Sequence, residues 1–172
     1  MKENSLISVL QKINSNSESD ECYTPNVALD PLLKYINKKH TIYEATSGIS
    51  LKIVNYLKHK GYKVIASEGR DYLKDTLPEY DIMITNPPYS IKDKFIEKSY
   101  EIGKPFALLL PVASIQGIKR NKLFNKYGID LIVLNKRIDF TGKGSPHFGV
   151  AWFTWKILDK THNDNVIIFE EV

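Results

Sequence analysis

The stretch that most constrains the fold is Ile82-Met83-Ile84-Thr85, which Asn86-Pro87-Pro88-Tyr89 follows at once. A near-continuous apolar run is typical of a strand buried on both faces of a parallel sheet. Two consecutive prolines end it, because each lacks an amide hydrogen and pushes the preceding residue out of the helical region. The pattern predicts that Asn86 lies extended at the carboxyl edge of an open α/β sheet, where such folds bind ligands.

The groups in this corner suit a planar partner that carries an amino group. The side-chain oxygen of Asn86 and the carbonyl oxygen of Pro87 can both accept hydrogen bonds from one amine. Tyr89 offers a flat face on which a ring such as adenine can stack. The alternative, a turn that merely ends a strand, explains the Asn-Pro pair but does not need the second proline and the tyrosine.

Two other segments place polar groups at the same predicted edge. A short strand at 41–45 is followed by Thr46-Ser47-Gly48, and Gly48 falls where the backbone must approach a ligand closely. Glu68 ends the next predicted strand, twenty residues after Gly48. A carboxylate at about that distance binds the two ribose hydroxyls in a nucleotide-binding crossover. A plain strand-to-helix turn and a solvated acidic residue are the alternatives.

These motifs carry a resemblance to a known family. Asn86-Pro87-Pro88-Tyr89 after a buried strand resembles the catalytic motif of S-adenosylmethionine-dependent amino-methyltransferases. The turn Glu44-Ala45-Thr46-Ser47-Gly48-Ile49-Ser50 resembles the glycine-rich cofactor turn of that family, with Ala45 in place of a proline and Ser50 in place of the last glycine.

The resemblance implies further cofactor contacts. In this family an aromatic-Thr-Pro element, here Tyr23-Thr24-Pro25, meets the methionine end of the cofactor, and an element like Asp71-Tyr72 meets its adenine. Thr24-Pro25 also reads as an ordinary start for the helix predicted at 26–38, which Pro31 divides or kinks. The short spacing from Glu68 to Asp71 predicts that the third strand of the common core is trimmed.

The element order predicts an α/β, Rossmann-like class I methyltransferase fold, with a mostly parallel sheet and a C-terminal antiparallel hairpin. Ser90 is the predicted N-cap of a helix that Gly103 closes. A second helix is predicted from Ser114 to Lys126, with Ile115, Ile118, Leu123 and Phe124 on its inner face.

Charge and aromatic residues make nucleic acid a candidate partner. The net charge is +4, and residues 92–143 hold eleven Lys/Arg against five Asp/Glu. Lys119 and Arg120 on the helix, and Lys143 in a Gly-Lys-Gly loop, suit a phosphate backbone, and Phe148 suits a second stacking face for a base. A solvated helix face and a core aromatic are the respective alternatives.

The length of 172 residues indicates one domain. We expect a flexible segment at residues 1–20 and a single methyltransferase domain at 21–172, with no separate target recognition domain. The lone Cys22, the four scattered histidines and the lack of an apolar run of about 18 residues predict a cytoplasmic protein with no metal site and no membrane association.

The resemblance is strongest to small bacteriophage-type DNA adenine methyltransferases, and covers the chain from Tyr23 to about Leu158. It implies direct methyl transfer from S-adenosylmethionine to the exocyclic amino group of adenine in DNA, with RNA as a second nucleic-acid candidate. The alternatives are an amino-methyltransferase acting on RNA or on a protein glutamine, and a catalytically weak pseudo-methyltransferase that binds nucleic acid.

Overall fold

A computed structural model describes residues 24–48, 51–140, 144, 148–159 and 164–172. The expectations for residues 1–20, Tyr23 and Lys143 lie outside these ranges. Seven strands form one sheet in the order β2-β1-β3-β4-β6-β5-β7. The strands are β1 (Thr41–Glu44), β2 (Lys63–Ala66), β3 (Ile82–Thr85), β4 (Phe106–Pro111), β5 (Asp130–Leu134), β6 (Val150–Trp155) and β7 (Ile167–Glu170).

The sheet is mostly parallel, as predicted. Strands β1 to β4 run parallel, β6 pairs antiparallel with both β4 and β5, and β7 lies parallel to β5. The predicted C-terminal antiparallel hairpin corresponds to β5 and β6, which follow each other in the chain and pair antiparallel. Strand β2 is an edge strand, and the described chain has no strand between Ala66 and Ile82. The trimmed third strand is thus confirmed.

Both faces of the sheet are covered, which explains the apolar run that ends at Thr85. All four residues of β3 are buried. Ile82 and Ile84 pack into one core cluster with Leu32 and Trp152, while Met83 packs into the other. Alternate residues of a strand point to opposite faces, so a strand between two apolar layers needs apolar side chains throughout.

The helices differ from the predictions at their starts. They are α1 (Asp30–Leu33), α2 (Lys52–His59), α3 (Lys92–Ile102) and α4 (Ile118–Tyr127). The long helix predicted at 26–38 is wrong: a 3-10 turn at Asn26–Ala28 precedes the single turn of α1, and Pro31 lies in that first turn, where its missing N–H costs nothing. The predicted N-cap at Ser90 is also wrong, because Ser90 lies inside a 3-10 turn at Tyr89–Ile91 and α3 begins only at Lys92.

The helix predicted at 114–126 is interrupted. A 3-10 turn covers Val112–Ile115, and Gly117, with a φ of 151°, separates it from α4. Ile115 and Ile118 are 40% and 83% exposed, so their predicted inward orientation is wrong, whereas Phe124 is buried as expected. Gly103 closes α3 in the left-handed conformation that favours glycine, as predicted.

Candidate functional site

The motif residues lie where two adjacent parallel strands end. Ile42 and Tyr43 of β1 pair with Ile82 and Met83 of β3. The turn that follows Glu44 and the corner that begins at Asn86 therefore lie side by side at the carboxyl edge of the sheet. This is the edge at which open α/β sheets bind ligands.

The two ends of the Asn86 carboxamide have different surroundings. Its Nδ2 donates a hydrogen bond of 2.9 Å to Oγ1 of Thr24. Its Oδ1 is buried and has no hydrogen-bond partner among the described residues. A buried acceptor without a donor is unusual in a folded protein and calls for an explanation. Its place at the carboxyl edge of the sheet makes it a candidate acceptor for a ligand group.

Glu44, at the end of β1, is almost fully buried, with 1% exposure. Its Oε1 accepts hydrogen bonds from Oγ1 of Thr85 at 2.6 Å and from the backbone N–H of Thr46 at 3.2 Å. Its Oε2 is buried without a partner within the described chain. Burial raises the pKa of the Glu44 carboxyl, and the hydrogen bonds from Thr85 and Thr46 oppose that effect.

Hydroxyl groups connect the turn after β1 to the corner after β3. The Oγ1 atoms of Thr46 and Thr85 are 2.6 Å apart, and Oγ1 of Thr46 lies 3.1 Å from the carbonyl oxygen of Asn86. Sequence reasoning missed Thr85. The available signal was a hydroxyl residue that ends an otherwise apolar strand directly before the Asn-Pro pair.

The turn after β1 is also fixed to β2. The hydroxyls of Ser47 and Ser67 are 2.7 Å apart, and the backbone N–H of Ser67 donates to Oγ of Ser47 at 2.8 Å. Gly48 is exposed, and a Cβ added there would meet no heavy atom of the described chain within 4 Å. Ala45, by contrast, is a core residue. The turn is therefore anchored on one side and borders open space at Gly48.

The predicted cofactor residues after β2, Glu68 and Asp71, make contacts with their own neighbours in the chain. Glu68 has a positive φ of 51° and a side chain that is 69% exposed, 3.5 Å from Arg70. Asp71 accepts from the backbone N–H of Leu73 at 2.9 Å and pairs with Lys74 at 2.9 Å, and the hydrogen bond from Lys74 lowers its pKa.

Tyr72 is a core residue. It is 2% exposed, its ring stacks on Phe95 with 4.9 Å between centroids, and its hydroxyl lies 3.0 Å from that of Ser99. Any contact of the Asp71-Tyr72 segment with a ligand would therefore involve Asp71 or the backbone.

Two aromatic rings meet beside the corner. Tyr89 and Phe148 form an edge-to-face pair with ring centroids 5.8 Å apart. Phe148 remains 41% exposed. The two residues are 59 positions apart in the chain, so the structure brings together the two rings that were predicted to face a base.

The predicted phosphate-binding cations separate into two kinds. Lys119 is exposed on α4. The Arg120 side chain is only 14% exposed, and its guanidinium pairs with Asp93 of α3 and donates to the carbonyl of Gln116. Arg120 thereby connects the starts of α3 and α4. Of the two predicted cations that the structure describes, Lys119 is the one on the exposed surface.

The described part of the chain contains no group of three His, Cys, Asp or Glu side chains that could hold a metal ion. Within those same residues, no helix has the length and apolar character needed to cross a membrane.

Known protein families and curated proteins give no match to this chain. Its fold does match solved structures. One is a protein from Listeria monocytogenes described as a class I S-adenosylmethionine-dependent methyltransferase, with a TM-score of 0.62, 14% identity, and coverage of 97% of this chain and 71% of the other.

A second is described as the modification subunit of a type I restriction enzyme from Vibrio vulnificus, with a TM-score of 0.53 and 11% identity. It is matched over 97% of this chain, which spans 50% of that protein's length. At these identities the comparison shows the fold, which is the Rossmann-like α/β fold of class I methyltransferases.

Proposed function

We propose that this protein is an S-adenosylmethionine-dependent methyltransferase that acts on the exocyclic amino group of adenine in DNA. The observation that carries the proposal is the buried, unpartnered Oδ1 of Asn86, which lies at the carboxyl edge of the sheet beside the turn that contains Gly48. An acceptor held there suits the N–H of an incoming amine.

The residues of the β1 edge fit the cofactor. The second carboxylate oxygen of Glu44 is buried and has no donor within the described chain, so it can accept from a hydroxyl or ammonium group of a ligand. A Cβ added at Gly48 would meet no heavy atom of the described chain within 4 Å, so a ligand can approach the backbone of the turn there. When bound, S-adenosylmethionine supplies a methyl group on a positively charged sulfur. Pro25, Ser47, Glu68 and Asp71 are further candidates to hold it, and their contacts remain predictions.

The corner residues would handle the target base. Oδ1 of Asn86 and the carbonyl of Pro87 would accept the two amino hydrogens and so orient the nitrogen lone pair for attack. Forming the nitrogen–methyl bond would break the bond between the methyl group and sulfur, and the methylated nitrogen would then release one proton to water. The same acceptors stabilise the positive charge that develops on the nitrogen during transfer. Tyr89 and Phe148 supply aromatic surface for a base removed from its stack.

Two observations support DNA as the substrate. The Vibrio vulnificus structure with the same fold belongs to a restriction-modification system by its description. The chain also carries its excess of cations on the half that follows the corner, where Lys119 is exposed on α4. Cations on an exposed surface suit the phosphate backbone.

The test is methyl transfer with an isotopically labelled methyl donor and unmethylated DNA, followed by digestion to nucleosides and mass detection of N6-methyladenine. We expect labelled methyladenine from the native protein, and at least about a hundredfold lower kcat for Asn86→Ala, because its acceptor contributes to the transition state. Asn55→Ala is the matched control, since Asn55 is exposed on α2.

The other products identify the alternatives. Label in RNA or in a protein glutamine would redirect the substrate class while leaving the corner chemistry in place. Calorimetry with S-adenosylmethionine separates the enzymes from the pseudo-methyltransferase, because no binding at high micromolar cofactor would leave only a nucleic-acid-binding role.

A further inference from the structure

The Asn86 carboxamide works as an acceptor only in one of its two orientations. Rotating its terminal torsion by half a turn exchanges Oδ1 and Nδ2, and such torsions are broad and roughly two-fold. In the structure Nδ2 faces Thr24 and Oδ1 is left without a partner in the described chain. In the exchanged orientation an amide N–H would face the substrate amine, and two donors cannot hydrogen bond to each other.

Thr24 is well placed to hold the carboxamide in position while the donors of the substrate amine decide which of its ends faces them. It is 5% exposed, and its Oγ1 is the partner of Asn86 Nδ2 at 2.9 Å. Its β-branched side chain has few χ1 rotamers, and the proline at position 25 restricts its backbone to extended conformations. The hydroxyl therefore has little freedom to leave the carboxamide.

The segment that carries Thr24 is anchored in the core independently of Asn86. The Trp152 indole N–H, on β6, donates to the carbonyl of Ala28 at 2.7 Å, and Trp152 is fully buried. Leu29 and Leu32 are also fully buried in the same core cluster. The backbone N–H of Ala28 in turn donates to the carbonyl of Pro25 at 3.0 Å. Thr24 is thus held against a rigid support.

We propose that Thr24 is a positioning residue: its hydroxyl hydrogen bonds to one end of the Asn86 carboxamide and fixes the plane of that group, so that the other end, Oδ1, meets the target amino group. The inference rests on the proposed function, which makes Asn86 the acceptor. It differs from the role that the resemblance implies for Thr24, which is contact with the methionine end of the cofactor. The two roles make opposite predictions for catalysis and for cofactor affinity.

The variant Thr24→Val removes the hydroxyl and keeps the shape, while Thr24→Ser keeps the hydroxyl. We expect Thr24→Val to lower kcat by about ten- to a hundredfold through misorientation of Asn86, with the calorimetric Kd for S-adenosylmethionine unchanged within about twofold. Thr24→Ser should recover most of kcat. Thr76→Val is the control, because Thr76 is exposed.

Two outcomes overturn the proposal. A weaker cofactor Kd with unchanged kcat in Thr24→Val would make the hydroxyl a cofactor ligand. Unchanged kcat and unchanged Kd together would leave it without a functional role. Thermal unfolding of all three variants accompanies the assay, and the Ser variant keeps the test decisive if the Val variant folds poorly.

A second readout is independent of activity. In ¹⁵N-labelled protein, the side-chain amide signals of Asn86 are those that disappear in Asn86→Asp. Thr24→Val should speed hydrogen exchange of this amide by about tenfold, since its hydrogen bond is lost, and Thr24→Ser should not. Unchanged exchange in Thr24→Val overturns the positioning role. If the native protein methylates nothing, the proposed function fails, whereas this exchange experiment still decides whether Thr24 holds the carboxamide.

Discussion

Replacing Glu44 by glutamine tests whether the carboxyl edge of β1 is built around a group that is costly to ionise. Glu44 is 1% exposed, and burial raises its pKa above the ordinary 4.5. Between the ordinary and the raised pKa, the folded protein binds more protons than the unfolded chain. The free energy of unfolding therefore falls as pH rises through this window, and the contribution of Glu44 is fully present only below pH 4.5.

The size of the effect follows from one titrating group. Through one such group, the free energy of unfolding changes by at most about 1.4 kcal/mol per pH unit. If the free energy of unfolding falls by about 2 kcal/mol per molar of urea, this group alone lowers the urea midpoint of the native protein by at most about 0.7 M per pH unit. Glu44→Gln keeps Oε1 as the acceptor for Thr85 and Thr46 and replaces Oε2, which has no partner in the described chain, by an amide that does not titrate.

The assay is urea unfolding of both proteins at several pH values from 4.5 to 8. We expect the urea midpoint of Glu44→Gln to increase relative to that of the native protein as pH rises. Glu79→Gln is the control for replacing a carboxyl by an amide at the surface, because the Glu79 side chain is 94% exposed. A constant difference for Glu44→Gln, or one that grows in favour of the native protein, would refute the argument that the carboxyl is disfavoured as an anion. We also expect weaker calorimetric binding of S-adenosylmethionine by Glu44→Gln at pH values above the raised pKa, where Oε2 of the native carboxylate is an acceptor and the glutamine amide is a donor.

Two further changes test other parts of the structure. Trp152→Phe removes the donor to the buried carbonyl of Ala28, and the loss of this hydrogen bond costs about 1–3 kcal/mol. We expect the melting temperature in scanning calorimetry to fall by about 2–12 °C. An unchanged melting temperature would contradict the anchoring role. Phe148→Ala removes the exposed ring that packs on Tyr89 and should weaken DNA binding by about 1–3 kcal/mol, measured by fluorescence anisotropy, with little change in stability. The control is Phe169→Ala, where the ring is 76% exposed on β7, and equal losses in both variants would place the DNA elsewhere.

The parts of the fold that local chemistry decides could be predicted from the sequence. The strand that ends at Thr85 and the stop after it follow from four apolar or small residues and two prolines. The helix end at Gly103 follows from the left-handed conformation, which glycine adopts without strain. The trimmed strand was visible as a spacing too short for another strand and helix between Glu68 and Asp71.

The errors occur where tertiary packing decides between local alternatives. Ile118 has the spacing of an inward-facing residue. However, the helix breaks at Gly117, and α4 starts at Ile118 with the Ile118 side chain exposed to solvent. Ser90 is a good N-cap by residue type, yet the second proline leads into a 3-10 turn that includes it. Residue type and spacing alone favoured the wrong alternative at both positions.

The contacts that define the site join distant parts of the chain. Thr24 and Asn86 are 62 positions apart, and Thr46 and Thr85 are 39 apart. Sequence reasoning identified Thr24, Thr46 and Asn86 as separate motif members, because residue types and spacings reveal membership. It could not show that these residues bond to one another. The Thr46 contacts depend on the register between β1 and β3, and the Thr24 contact depends on how the segment before α1 packs on the sheet.

The position of β6 between β4 and β5 has a consequence for how the protein folds during synthesis. One edge of β4 pairs with β3, which precedes it in the chain, and the other edge pairs with β6, which is synthesised later. Phe106, for example, pairs with Trp155. A ribosome adding about 5–20 residues per second needs roughly 2–10 s to cover that interval. During this time Phe-Ala-Leu-Leu-Leu-Pro presents an open apolar edge to other nascent chains. Fast translation and a chaperone that covers extended apolar segments should therefore raise the yield of native protein.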